Sequence, residues 1–135
     1  MGCRMARAEG LPLVTRDSIL VVDDDESIRQ IVRIYLSEEG YVVREASNGQ
    51  VALDMLADCQ PAVILLDLRM PVMDGWEFTR RYRETPSPHA PIIAFVAALN
   101  AIEECAGLET AAILNKPFDL EDLLAAIQLQ LPLPT

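Results

Sequence analysis

The sequence predicts an α/β fold, an open parallel sheet of five strands covered by helices on both faces. Three observations carry this reading. Short apolar runs alternate with segments of helical periodicity along most of the chain. The run "AVILLD" (62–67) is apolar throughout and ends in a carboxylate, the mark of a central parallel strand. The chain has 135 residues, 51% of them hydrophobic and 24% charged, which suits one globular domain with a real core.

The elements follow in order. Residues 1–16 read as a loose tail, without the continuous apolar stretch of a secretory signal. Gly2-Cys3 suggests a lipidation start, but Ala6 stands where that pattern needs Ser or Thr. Ile19 to Val22 form a first strand. Ile28, Ile31, Val32, Tyr35 and Leu36 then recur at helical spacing, and Gly40 closes that helix. "YVVREA" (41–46) is a second strand. Asn48 caps a helix carrying Val51, Ala52, Met55 and Leu56, which Pro61 ends. After the third strand, Asp74-Gly75 opens a helix running to about Glu84. "IIAFVA" (92–97) is the fourth strand and "AAIL" (111–114) the fifth, with room for only a short helix between them. Asp119 caps a last helix, terminated by Pro132 and Pro134. The domain is thus placed at 17–131, with 132–135 as a C-terminal tail.

The net charge of −10 argues against nucleic-acid binding and against anionic membranes. No apolar run reaches the length of a membrane span. Three cysteines without paired spacing fit a reducing cytoplasm, with Cys59 and Cys105 as small packing residues. The basic residues comprise ten arginines and one lysine, Lys116, which marks that lysine out.

In open α/β sheets, ligands bind at the carboxyl ends of the strands. Asp23 and Asp24 end strand one, Asp67 ends strand three and Lys116 follows strand five. If strands one and three are neighbours and strand five lies beyond four, these residues share one crevice. Clustered carboxylates repel, yet they suit a hard divalent cation such as Mg²⁺. Asp67 could then act as a nucleophile toward a phosphoryl group, with Lys116 supplying a second positive charge. Taken singly, each of these residues has an ordinary reading as a turn, cap or surface group. Asp25 and Glu26 suit the start of a helix better than a metal. The constellation is more specific than any member.

The strand with its acids, "ILVVDDDE", the segment "LLDLRMPVMDG", the strand start "PIIAF" and "NKPF" together resemble the receiver domain of two-component response regulators, of the chemotaxis-regulator kind. The resemblance covers roughly residues 17–131. It implies a doubly wound, flavodoxin-like sheet of order 2-1-3-4-5. It implies that Asp67 accepts a phosphoryl group from a phosphohistidine of a histidine kinase or phosphotransfer protein, with Mg²⁺ as cofactor. Asp24 then matches the more direct metal ligand, Asp23 acts largely through water, and the backbone carbonyl of Arg69 matches the remaining protein ligand. Lys116 matches the family's lysine, and Lys116-Pro117 is expected to be cis. The family's chemistry is self-phosphorylation and slow self-dephosphorylation at Asp67 rather than that of a conventional enzyme. A cytoplasmic location, a monomer or weak homodimer, and a downstream protein partner are also expected.

Two positions depart from the family pattern. Val96 stands where strand four usually ends in Ser or Thr, and valine has no hydroxyl to donate. Ile113 stands where strand five often carries Tyr or Phe. The segment between Val96 and Lys116 also looks about two residues short, which predicts a shortened fourth helix. The usual switch is therefore in question while the acceptor chemistry looks intact. The first reading is a phosphoacceptor with an atypical switch. The alternative is a receiver-fold binding module that docks on proteins with little dependence on phosphate. A hydrolase with an aspartyl intermediate is weakest, because Leu68 and Arg69 follow Asp67 where that class repeats an Asp. No output domain follows Leu131, so output is expected by docking, or the chain is a piece of something longer.

Overall fold

The computed structural model of the protein describes residues 18–86, 88–97, 103, 105 and 107–131. Strand β1 (Ser18–Val22) is buried at every position. Asp25 caps helix α1 (Glu26–Glu38), its side chain accepting the Ser27 and Ile28 amides. Gly40 follows with φ +98°, a left-handed conformation that frees the chain to turn into β2 (Val42–Ala46). Asn48 caps α2 (Gly49–Leu56) by accepting the Val51 amide. Strand β3 (Val63–Asp67), helix α3 (Gly75–Arg83), strands β4 (Ile92–Val96) and β5 (Ala112–Asn115), and helix α4 (Leu120–Gln130) complete the order.

The five strands are parallel, in the order β2-β1-β3-β4-β5. Alternation of side chains along each strand divides the core in two. Leu20, Val22, Ile64, Leu66, Ile92 and Val96 face Ala52 of α2 and Phe78 and Tyr82 of α3. Ile19, Val21, Val63, Leu65, Ile93 and Phe95 face Val32 and Leu36 of α1 and Leu123 and Ile127 of α4. The predicted sheet with helices on both faces is therefore present.

Several boundaries differ from the sequence reading. Helix α2 stops at Leu56, ahead of Pro61, where Ala57 and Asp58 amides bond three residues back to Asp54 and Met55 and tighten the last turn. The proline does not end it. Strand β5 begins one residue later than expected. Asp119 occupies the N-cap position of α4, but its side chain accepts no capping hydrogen bond. Glu121 and Asp122 in the first turn meet the positive end of the helix dipole instead. Cys105 is buried in the core with Leu66 and Val96, as a packing residue should be. Cys59 is disulfide-bonded, which departs from the packing role in a reducing setting expected of it. The shortened fourth helix, the 1–16 tail and the 132–135 tail with Pro132 and Pro134 lie largely or wholly outside the described residues.

Candidate phosphoacceptor site

The register brings the acids together. Val22 of β1 lies beside Leu66 of β3, so the next residue along each strand, Asp23 and Asp67, share the carboxyl edge. Asp23, Asp24 and Asp67 each offer a carboxylate oxygen, and these oxygens lie within 4.8 Å of one another. Asp23 is fully buried and Asp67 nearly so, whereas Asp24 is exposed. Lys116, one residue past β5, reaches across with Nζ at 3.0 Å from Asp23 Oδ2 and 3.4 Å from Asp67 Oδ1. Its own amide donates to the Val96 carbonyl at 2.6 Å, which ties the end of β5 to the end of β4. The Lys116–Pro117 peptide is cis.

The electrostatics follow from this crowding. Burial, then the charge of Asp23, push the Asp67 carboxyl up to about 6, against the opposing pull of Lys116. Burial works against the Lys116 ammonium, but the hydrogen bond and charge of Asp23, with the charge of Asp67, outweigh it and hold its pKa above the ordinary lysine value. The site thus contains an uncompensated excess of negative charge around the Asp67 carboxylate. Oxygen donors at this density fit a hard divalent cation.

Asp23 has every polar group engaged. Its amide donates to Ala46 O, its carbonyl accepts from Arg29, and its carboxylate accepts from the Asp25 amide and from Lys116. That arrangement leaves Asp23 less free than Asp24 to turn toward an added ligand. Asp25 and Glu26 belong to the helix start, as their capping geometry indicates.

Asp74 and Gly75 start α3 close to the end of β3. Asp74 caps α3 by accepting the Glu77 amide at 2.9 Å. Gly75 donates to Leu68 O, and a Cβ there would stand 2.7 Å from the Leu68 Cα and 2.9 Å from the Asp67 carbonyl. Only glycine lets α3 begin this close to Asp67. Val72 in the same loop has φ +73°, a strained conformation for a β-branched residue.

The remaining predicted positions are placed as follows. Arg69 is exposed in the loop after Asp67, with its guanidinium 5.2 Å from the Trp76 ring centroid. Val96 is buried at the end of β4, in the core with Leu66 and Ala94, and Ile113 packs half-buried against the same cluster. Neither carries a hydroxyl or aromatic ring toward the crevice. Sequence reasoning missed Arg29, whose position on an apparently ordinary helical surface conceals its contact with Asp23. It also missed a groove of about 500 Å³ beside Lys116, walled by Ile28, Ile31, Val32, Pro117, Phe118 and Leu120. Among the described residues, no helix is long and apolar enough to cross a membrane.

Comparison with known proteins agrees with this geometry. A family model described as the response regulator receiver domain matches residues 19–128. The response regulator MprA of Mycolicibacterium vanbaalenii is 43% identical over 112 residues, covering 82% of this chain and 48% of that protein. MprA of Mycobacterium avium is 44% identical over the same length, covering 82% and 49%. The chain spans about half the length of these curated relatives. Among solved structures, the chemotaxis response regulator CheY4 of Vibrio cholerae has a TM-score of 0.78 at 34% identity, covering 84% of this chain and 98% of that one. The response regulator TrrA of Thermotoga maritima, solved in complex with Mg²⁺-BeF, has a TM-score of 0.76 at 29% identity, covering 85% and 99%.

Proposed function

The chain belongs to the response regulator receiver domain family, and from that premise we propose that it is the phosphoacceptor of a two-component phosphorelay. An Asp67 carboxylate oxygen attacks phosphorus of a phosphohistidine on a histidine kinase or phosphotransfer protein. The P–N bond breaks, the imidazole nitrogen leaves with the bonding pair, and an aspartyl phosphate results. Asp23, Asp24, Asp67 and the Arg69 backbone carbonyl would hold Mg²⁺, which when bound neutralises the acids and the incoming phosphoryl oxygens. Lys116 stays protonated and faces the oxygen on the other side. We take 17–131 as the receiver unit, acting in the cytoplasm, and the groove beside Lys116 as an apolar surface next to the acceptor for the donor protein.

One observation carries the reading: three carboxylates within 4.8 Å of one another, with a lysine 3.0 and 3.4 Å from two of them. The test is incubation with Mg²⁺ and a small acyl phosphate, followed by the mass of the intact protein. Wild-type protein should gain one phosphoryl group and Asp67→Asn none. No uptake by wild type, with partner binding unaffected by Asp67→Asn, would overturn the proposal.

A second reading rests on Val96 and Ile113. Without the hydroxyl and the ring, a phosphoryl group on Asp67 has fewer groups to pull, so the domain could dock on its partner with little dependence on phosphate. Equal partner affinity of the phosphorylated and unphosphorylated forms would favour this second reading.

A further inference from the structure

We propose that Arg29 is a positioning residue for the cation site, holding the Asp23–Asp24 turn level with Asp67; this rests on the receiver reading above. Arg29 Nη1 donates to the Asp23 carbonyl at 2.8 Å, and its Nε donates to Glu45 Oε1 at 3.1 Å. The second oxygen of Glu45 accepts Arg33 Nε at 2.7 Å. The Asp23 amide meanwhile donates to Ala46 O at 3.1 Å, next to Glu45 on β2. Residue 23 is therefore tied to the edge strand on both sides, directly through its amide and through Arg29 by its carbonyl.

The Arg29 side chain is only 15% exposed, so it is not a solvated surface charge. A guanidinium that merely linked α1 to β2 would need Glu45 alone. Its second bond goes to the backbone between β1 and the exposed Asp24, whose carboxylate must point at the same spot as that of Asp67. Groups that orient metal ligands from outside the coordination shell commonly change metal affinity by about tenfold or more when removed.

Charge and position make opposite predictions here. Arg29 places a positive charge near an acidic site, so removing that charge alone should tighten Mg²⁺ binding. Loss of positioning should loosen it. The experiment is calorimetric titration of the full chain with MgCl₂, with far-UV circular dichroism and metal-free melting of each variant. Arg29→Met should bind Mg²⁺ roughly tenfold more weakly than wild type. Arg29→Lys keeps the charge but reaches only one of the two partners, and should fall between. Arg81→Met, which removes a surface ion pair with Glu77 on α3, should match wild type.

Binding by Arg29→Met as tight as wild type, or tighter, overturns the inference. So does a lowered metal-free melting temperature with wild-type Mg²⁺ affinity, which is a purely structural role. If Arg29→Met does not fold, Arg29→Lys decides: weaker binding supports positioning and unchanged binding overturns it. Wild-type protein that binds no Mg²⁺ overturns the cation site itself, a distinct outcome.

Discussion

Single residues in this protein have properties that their neighbours impose. Burial and the charge of Asp23 hold the Asp67 carboxyl at about 6, above its ordinary 3.8. An acid with a raised pKa in the folded state stabilises the fold below its unfolded pKa, and that contribution is lost as pH rises through about 6. Metal-free Asp67→Asn should therefore melt higher than wild type above pH 6 and converge with it below about pH 4. Saturating Mg²⁺ at neutral pH should reverse the order by stabilising wild type alone. Thermal melts of both proteins across that range check this, and identical pH profiles would reject it. Val72 is a second case. It is 79% exposed with φ +73°, so it contributes little packing and carries the strain of a left-handed β-branched residue. Val72→Asn, a residue that tolerates this conformation, should stabilise the protein by about 1 kcal/mol in a denaturant titration.

Elements show where local signals hold and where they do not. Of the three aspartates that precede helices, Asp25 and Asp119 both read as caps from sequence. Asp25 accepts two amides at 2.9 and 3.3 Å, whereas Asp119 accepts none. Asp25→Ala should accordingly cost about 1 kcal/mol, and Asp119→Ala should be close to neutral by the same chemical denaturation. Equal losses would mean that the first-turn dipole, shared by both helices, outweighs the cap bond. The strands were the most legible elements, because continuous burial on both faces demands unbroken apolar runs, as in Val63 to Leu66. Helix ends were less legible. The stop of α2 at Leu56 depends on three-residue backbone bonds that leave no mark in side-chain identity.

At the scale of the whole molecule, strand order makes the site. Lys116 lies 93 residues from Asp23 along the chain, yet they meet because the parallel order β2-β1-β3-β4-β5 puts the residues that follow β1 and β5 at one edge of the sheet. Val96 closes this arrangement from the β4 side, buried in the core and bonded through its carbonyl to the Lys116 amide. A threonine there would put a hydroxyl in place of one methyl group of this buried side chain. Val96→Thr should change the lifetime of phosphate on Asp67, or the difference in partner affinity between phosphorylated and unphosphorylated forms. Phosphate decay and binding titrations read both, and if neither moves, position 96 does not limit the switch.

The sequence by itself determined the fold class, the strands that build it and the residue types at the carboxyl edge. These follow from apolar periodicity and from acids placed directly after strands, which are local features. Only the tertiary structure decided that Asp23 is buried and fully bonded while Asp24 is exposed. It alone brought Arg29 onto the Asp23 carbonyl, left Asp119 without a cap bond and raised the Asp67 pKa. Each of these depends on what lies within a few ångströms across the fold, and neither spacing nor composition encodes that distance.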